Sequence, residues 1–399
     1  MNITIGNPVW GDDFFDREEI LARLWEILKT DSVLLAAPRR VGKTSLMRKL
    51  YDEPMNGFKV LWLDGQNYRT PEDLAVELAT KAGEMKKDPK RFFRRWVSGT
   101  VNRLEELEVW ELRFKLREQL PQRWELVGEA IIQDLVNDGT KLLIVIDELA
   151  MLLHNMIHGK IENGAGRAQE LLDWLRHIRQ EPYLNAHVRQ VLGGSIGLPH
   201  VASLIGSSHK INDLRALEVG PFDRKTARRL ATGLLASRNV TLSEQIMEAF
   251  LDQIETFLPI FVQIMASAVA AEVHRRKQEA TVELIQECYE QRAMGTEFRI
   301  VFEDYYERLA RYYSPEDAQI AKIFLRELAL LNKPLSKSHL LGTYQKELGD
   351  AADPQKFDLL LTWLHDDFYL VDNGDGQIAF KSRWIRDWWR RYHGSKSSF

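Results

Sequence analysis

The sequence has almost no cysteine, and its single thiol, Cys288, cannot form a disulfide within the chain. A scaffold stapled by internal disulfides is therefore excluded, and a reducing compartment is expected. The net charge is also small, at −4 over 399 residues. No field of the whole molecule would attract nucleic acid or an anionic membrane, so such a partner would need a local basic patch.

Long hydrophobic runs are missing as well. The longest apolar stretch, FLPIFVQIMASAVAA, has 15 residues and contains Pro259 and Gln263, whereas a helix that spans a bilayer needs about 20. The N-terminal MNITIGNPVW has neither the basic segment nor the apolar run of a signal peptide. We therefore predict a cytoplasmic protein that does not bind membranes, and we interpret the apolar stretch as a buried helix.

Five short apolar runs alternate with helical segments in the first 222 residues: SVLLAA, FKVLWLDG, KLLIVIDE, VRQVLGGS and RALEVGPF. Runs without polar alternation indicate strands that are covered on both faces, so the predicted fold class is α/β with a parallel sheet. The first helix should begin after Asp16, a predicted N-cap. Residues from about 86 to 123 break the alternation and are interpreted as a helical insertion.

No strand-like run follows Pro221 until the hairpin FYLVDNGDGQIAFKS near the end of the chain. Its Asn-Gly-Asp-Gly segment is a strong turn signal, and three helices followed by a hairpin are typical of a winged helix. The predicted organisation is an α/β core at 1–222, an all-helical lid at 223–313 and a winged helix at 314–399. The last of these should end in a Trp- and Arg-rich helix.

The segment APRRVGKT follows the first strand and opens a helix, as a phosphate-binding loop (P-loop) does. Its backbone N–H groups and the helix N-terminus would hold phosphate, Lys43 would neutralise the β- and γ-phosphates, and Thr44 would bind Mg²⁺. Ala37 stands where such loops usually have glycine, but this position mainly ends the strand, so a methyl group is a mild intrusion. The predicted nucleotide-binding residues here are Pro38, Arg39, Arg40, Val41, Gly42, Lys43, Thr44 and Ser45.

The run LLIVIDEL supplies the matching acidic pair. Five apolar residues place Asp147 at the C-terminal edge of a buried strand, where ligands bind in open α/β sheets. Asp147 would hold Mg²⁺ through water, and Glu148 would polarise the attacking water. The alternative is an acidic pair that caps the next helix. Together with the loop, the pair predicts a site for ATP and Mg²⁺ in which Glu148 and Lys43 are catalytic.

Four further residues are candidates for a role at this site or at a subunit interface. Ser195, at the tip of VLGGSIG, could contact the γ-phosphate or the attacking water, or could simply be a small residue that leaves a strand. The side chains of Arg39 and Arg40 could contact phosphate or a partner, or be solvated. Arg215 precedes the last core strand, where oligomeric ATPases place an arginine that acts on the neighbouring subunit.

Five segments in order, NPVWGDDFFDREE, APRRVGKTSLM, LLIVIDE, GGSIGL and LEVGPFD, resemble the archaeal-type ATPase clade of the STAND nucleotidases, which are relatives of AAA+ proteins. The resemblance covers roughly residues 7 to 390. It implies a P-loop core with a helical lid and a winged helix. It also implies that Phe15 lies near the adenine and that Pro259 is the lid proline that packs on the base.

We therefore predict a slow ATPase that acts as a molecular switch, in which the Mg-ATP state controls a protein partner or a homo-oligomer. The alternative is an ATP-dependent DNA-binding loader or regulator of AAA+ type. The basic run at 86–95 could contact an acidic partner or DNA, but a solvated helix face is the favoured interpretation. The segment KSRWIRDWWRRYHGSK could contact DNA, but inward-facing tryptophans beside solvated arginines are favoured. The helix PQKFDLLLTWLHDD would enter the groove, and its acidic residues disfavour that role.

Two further interpretations rank below these. A nucleotide-binding scaffold with negligible hydrolysis is disfavoured by the intact pair Asp147–Glu148. Small-molecule kinases share the loop but lack so large a helical C-terminal half.

Overall fold

The computed structural model describes residues 2–6, 11, 14–97, 108–119, 123–194 and 197–394. Contacts between Cα atoms divide the chain into two compact units. The first, called here the sheet unit, comprises Arg17–Ala37 and Lys43–Val219. The second, called the helical unit, comprises Met1–Asp16, Pro38–Gly42 and Gly220–Phe399.

The sheet unit is built on five parallel strands in the order β2-β3-β4-β1-β5. The strands are β1 (Val33–Ala36), β2 (Phe58–Asp64), β3 (Lys141–Asp147), β4 (Val188–Gly193) and β5 (Arg215–Glu218). Each lies within one of the apolar runs, so the predicted parallel sheet is confirmed. Strand β3 is buried at every residue after Lys141, as expected for a strand covered on both faces.

Helices connect the strands of the sheet unit. They are α1 (Glu18–Ile27), α2 (Lys43–Asp52), α3 (Pro71–Glu84), α4 (Pro89–Trp96), α5 (Val109–Gln119), α6 (Trp124–Val136), α7 (Leu149–His158), α8 (Gly164–Gln180), α9 (Pro182–His187) and α10 (Leu198–Leu204). Helix α3 begins as its sequence indicates, with Thr70 as the N-cap of a capping box and Pro71 in the first turn.

The predicted N-cap of α1 is wrong. Arg17 occupies the N-cap position, and no side chain caps the helix there. Asp16 has a left-handed backbone with φ +51°. Its carboxylate instead accepts hydrogen bonds from Thr226 Oγ1 at 2.5 Å and Arg229 Nη1 at 2.8 Å, within the helical unit. Asp16 therefore forms hydrogen bonds with residues that are distant in the chain instead of capping α1.

The predicted insertion is helical where it is described, in α4 and α5. Phe92 and Phe93 of α4 are buried. Part of the basic run is used internally, because Lys86 Nζ and Arg95 Nη1 lie 2.8 Å and 2.6 Å from the carboxylate of Asp134. The positive charges of Lys86 and Arg95 are therefore compensated by a carboxylate of the same chain.

The helical unit contains most of the C-terminal half of the chain. Its helices are α11 (Arg224–Ala236), α12 (Glu244–Ile254), α13 (Pro259–Arg276), α14 (Val282–Glu287), α15 (Arg299–Tyr312), α16 (Pro315–Leu331), α17 (Lys337–Leu348), α18 (Pro354–Asp366) and α19 (Arg383–His393). The longest apolar stretch forms α13, which is buried along most of its length and confirms the predicted buried helix. Across the described residues, no helix is both long enough and apolar enough to cross a membrane.

A small antiparallel sheet completes the helical unit. It contains β6 (Leu335–Ser336), β7 (Leu370–Asp372) and β8 (Gln377–Phe380) in the order β6-β8-β7. Strands β7 and β8 form the predicted hairpin, whereas the two-residue β6 was not predicted. The boundaries of the lid and the winged helix at 223, 313 and 399 stay predictions.

The tryptophans of α19 point into the helical unit. Trp384, Trp388 and Trp389 are fully buried, and the ring of Trp384 stacks on that of Phe261 with centroids 4.8 Å apart. Arg383 and Arg386 contact the shielded carboxylate of Asp387 in the same helix. Of the two interpretations of this segment, inward packing of the aromatic side chains is confirmed.

Candidate functional site

The loop at residues 38–42 contains two residues with a left-handed backbone, Arg40 and Gly42. Gly42 has φ +93°, a conformation that glycine adopts without steric cost. Arg40 also has positive φ, at +65°, which is uncommon for a residue with a side chain. Ala37 is not among the residues with positive φ. The alanine in place of the usual glycine is therefore compatible with the observed backbone.

Thr44 and Asp147 meet in the sheet unit although 103 residues separate them. Thr44 lies in the first turn of α2 and Asp147 ends β3. The Thr44 hydroxyl Oγ1 donates a hydrogen bond of 2.7 Å to Asp147 Oδ2. The second carboxylate oxygen, Oδ1, accepts a hydrogen bond of 3.0 Å from the backbone N–H of Glu148. These contacts fix the orientation of the Asp147 carboxylate.

Burial of Asp147 raises the pKa of its carboxyl group, and the nearby Glu148 raises it further, whereas Lys43 and Thr44 lower it. The net effect is a raised pKa, because the nearby positive charge and hydrogen bonds do not fully offset the cost of burying the negative charge. An added cation would therefore be stabilised here. Magnesium prefers oxygen ligands, and a hydroxyl beside a carboxylate is such a donor set. The chemistry of Thr44 and Asp147 thus fits the predicted Mg²⁺.

Lys43 and Glu148 lie beside Asp147 and are buried as well. Lys43 Nζ lies 3.9 Å from Glu148 Oε1, and both side chains are more than nine-tenths buried. Glu148 has φ +53° and occupies the N-cap position of α7, all of whose residues are described, but its side chain makes no capping hydrogen bond there. The alternative in which Glu148 caps the next helix is therefore not supported.

Asp64 is a third carboxylate at this edge of the sheet, and no motif in the sequence predicted a role for it. It ends β2 and pairs in register with Asp147 of β3. Its carboxylate accepts hydrogen bonds of 3.1 Å from Gln66 N and from Asn67 Nδ2. Burial is the main cause of its raised pKa, to which the charge of Glu148 also contributes. The sequence signal that could have identified Asp64 is that the two predicted strands FKVLWLD and KLLIVID both end in aspartate.

Gly65, directly after Asp64, allows the two strand ends to come close together. A Cβ atom at this position would lie 2.7 Å from the carbonyl oxygen of Glu148 and 3.0 Å from that of Asp147. These contacts are with backbone atoms, which cannot swing away as a side chain would. The missing side chain of Gly65 thus leaves room for the left-handed backbone of Glu148.

The residues predicted to contact adenine belong to the helical unit. The ring of Phe15 meets that of Phe222 edge-on at a centroid distance of 6.2 Å, and the guanidinium of Arg229 lies 5.2 Å from the Phe15 centroid. Phe222 N donates to Phe257 O, and Pro259 begins α13 two residues later. Phe15 and the segment before Pro259 are therefore connected through Phe222.

The predicted roles of two further residues, Ser195 and Arg215, are not tested by the geometry of this site. Ser195 lies outside the described residues. Arg215 begins β5 with a side chain that is 60% exposed, and its Nη1 lies 3.5 Å from Asp31 Oδ2. Its role in a neighbouring subunit stays a prediction.

Comparisons with known proteins agree with this fold. The family described as "ATPase domain predominantly from Archaea" matches residues 14–250. The chain is similar in structure to the Walker-type ATPase PABY2304 of Pyrococcus abyssi, with a TM-score of 0.65 and 18% identity over 98% of this chain and 100% of that one. It also resembles the ORC2 protein of Aeropyrum pernix in its ADPNP–ADP complexes, with a TM-score of 0.51 and 10% identity over 93% and 92% of the two chains. At such identities the structural likeness establishes the fold alone. No protein with a curated description matches in sequence.

Proposed function

Because the chain belongs to the family of ATPase domains found predominantly in Archaea, we propose that it hydrolyses ATP slowly and acts as a nucleotide-controlled switch of the STAND type. The observation that carries the proposal is the group formed by Lys43, Thr44, Asp147 and Glu148 in the sheet unit. A buried lysine, a hydroxyl–carboxylate pair and a second carboxylate are the parts that P-loop hydrolysis requires. We propose the cytoplasm as its location.

Each residue has a distinct proposed task. The backbone N–H groups of the loop and Lys43 bind the phosphates. Thr44 and Asp147 hold Mg²⁺, which when bound neutralises phosphate charge and helps to orient the phosphates. Glu148 orients the attacking water and accepts its proton. Phe15 and Pro259 are proposed to contact the adenine.

The switch part of the proposal is supported by the position of the loop in the fold. Residues 38–42 belong to the helical unit, whereas Lys43 and Thr44, which follow directly in the chain, belong to the sheet unit. The chain therefore passes from one unit to the other within the segment that is proposed to bind phosphate. We propose that ATP in place of ADP changes how the protein binds a protein partner or a second copy of itself.

The mass of the chain in solution tests this proposal. We expect the mass measured by light scattering after size exclusion to differ between ADP and a non-hydrolysable ATP analogue, without any DNA. An unchanged mass, together with the same proteolysis pattern in both nucleotides, would contradict the switch. A change in mass that requires duplex DNA would favour the DNA-binding alternative instead.

Several contacts favour the switch over direct DNA binding. In α18, Lys356 Nζ lies 2.6 Å from Glu316 and 3.5 Å from Asp317, so its charge is already compensated. The tryptophans of α19 are buried and cannot stack on bases. Lys86 and Arg95 share Asp134. Each contact reduces the positive charge or aromatic surface available to a nucleic acid.

Gly65 provides a test of the proposed carboxylate geometry. In Gly65→Ala the new methyl group must push the backbone of Asp147 and Glu148 away. We expect kcat for ATP hydrolysis to fall about tenfold or more, because small displacements of catalytic groups are costly. The affinity for ADP, measured with a fluorescent analogue, should change less, because Lys43 and the loop are untouched.

The matched control for this variant is Gly342→Ala. Gly342 lies in α17, where an added Cβ would have no neighbour within 4 Å. This variant should hydrolyse ATP at the wild-type rate. Wild-type turnover in Gly65→Ala would show that the close approach of the two strand ends does not matter for the reaction.

A further inference from the structure

The loop at 38–42 contacts another segment of the helical unit, to which it belongs. Arg39 Nε lies 3.0 Å from Asp304 Oδ2 in α15, and the two side chains are 28% and 16% exposed. We propose that Arg39 and Arg40 anchor the loop at 38–42 to α15, and that Asp304 positions the loop through its ion pair with Arg39. The inference rests on the proposed function, because it assigns the loop its role in binding phosphate.

The shielding of this ion pair distinguishes it from an ordinary surface pair. Exposed ion pairs contribute little to stability because water and salt screen them. A shielded pair is different, because losing one partner leaves the other charge poorly solvated. The pair Lys337–Asp358 in the same unit is 50% and 59% exposed with a distance of 2.8 Å, and it serves as the comparison.

Arg40 supports the same conclusion from its backbone. A left-handed conformation in a residue with a side chain persists only where its surroundings enforce it. Its guanidinium approaches Gly6, where an added Cβ would lie 3.4 Å from Arg40 Nη1. Burial lowers the pKa of Arg40, and the charges of Arg39 and Arg308 lower it further, whereas the carboxylate of Asp304 on α15 raises it. Arg40 is thus enclosed between the N-terminal segment and α15.

The charges around α15 make Asp304 the important partner. Three guanidinium groups, those of Arg39, Arg40 and Arg308, influence one another here. The carboxylate of Asp367 lies 3.9 Å from Arg308 Nη2 and accepts a hydrogen bond from Tyr313. Asp304 contacts the loop through Arg39. Without its charge, the loop arginines would face mainly other cations and would be repelled from α15.

This anchoring connects the proposed nucleotide site to α15. The loop must keep its backbone N–H groups aligned in order to bind phosphate, and its side chains are held by α15. A change in the position of α15 would therefore change nucleotide affinity, and nucleotide binding would bias α15 by the same free energy. The arginine side chains act as supports, and the loop backbone and Lys43 bind the phosphates.

A double-mutant cycle on the full-length chain tests the proposal, with fluorescent ADP and Mg²⁺ as the probe. We expect Asp304→Asn and Arg39→Gln each to weaken ADP binding about tenfold, which is within the usual range of coupling between sites. The double variant should bind no more weakly than either single one, because both remove the same contact. The KM for ATP should rise by a similar factor, with a smaller effect on kcat.

Control variants separate this role from a general loss of stability. Asp358→Asn, which breaks the exposed comparison pair, should bind ADP like the wild type, and Asp304→Glu should recover most of the affinity. Arg39→Gln tests the contact from the loop side if Asp304→Asn does not fold. Additive losses in the cycle, wild-type affinity in both single variants, or tighter binding in Asp304→Asn would overturn the proposal. Tighter binding would mean that Asp304 keeps Arg39 away from phosphate.

The Lys43→Ala variant distinguishes failure of this inference from failure of the proposed function. If Lys43→Ala loses ADP while both anchor variants bind it normally, only the anchor is refuted. If Lys43→Ala also binds ADP normally, the proposed nucleotide site itself is refuted.

Discussion

Lys43→Ala should lower the affinity for ATP and for ADP about hundredfold, the largest effect on binding expected for any single change in this chain. Lys43 begins the helix that follows the loop, and its ammonium lies 3.9 Å from Glu148 Oε1. It is buried, so its attraction to phosphate is only weakly screened. Its loss also removes the charge that lowers the pKa of Asp147, which makes this carboxylate easier to protonate.

Titration of the full-length protein with fluorescent ADP, with and without Mg²⁺, measures this effect. Lys49→Ala is the matched control, because Lys49 lies on the same helix and pairs with Glu53 near the surface. It should bind nucleotide like the wild type. Unfolding curves recorded without nucleotide show whether Lys43→Ala remains folded. Unchanged affinity in a folded Lys43→Ala protein would remove the basis for a P-loop site.

Local sequence patterns were sufficient to predict the parts of the site that lie on one strand or loop. The apolar run before Asp147 predicts a buried strand, and APRRVGKT predicts a turn into a helix, because each signal lies within a few residues. Both predictions agree with the elements observed. The prediction that Thr44 and Asp147 lie together followed from the preference of Mg²⁺ for oxygen ligands. The observed hydrogen bond shows that the two side chains are adjacent.

Contacts between distant segments were not predictable in the same way. The strand order β2-β3-β4-β1-β5 places β2 beside β3 and so brings Asp64 to Asp147. Asp304 is far from Arg39 in the chain, and no periodicity or motif connects them. Asp16 shows the same limit, since its tertiary partners replaced the local cap that its sequence favoured. Such contacts depend on the packing of whole elements.

Glu148→Gln should have the opposite effect to Lys43→Ala: hydrolysis is lost and binding is kept. The change preserves the shape of the side chain but removes the carboxylate that would orient water and accept its proton. General base catalysis of this kind typically contributes 10²–10⁴-fold, so we expect kcat to fall at least about hundredfold. Glu148 also raises the pKa of Asp147 and Asp64. Its neutralisation relieves that repulsion and should leave the affinity for Mg-ATP equal or higher.

Phosphate release under saturating Mg-ATP, measured in parallel with nucleotide affinity, checks this separation of kcat from binding. Glu162→Gln changes an exposed carboxylate after α7 and should have no effect on either quantity. Asp64→Asn is the decisive comparison. Asp64 also lies beside Asp147, but no catalytic task is proposed for it. If Asp64→Asn abolishes turnover and Glu148→Gln does not, the carboxylate that activates water is on β2. If Glu148→Gln alone abolishes turnover, Glu148 holds that role and Asp64 acts only through the charge it adds to the site.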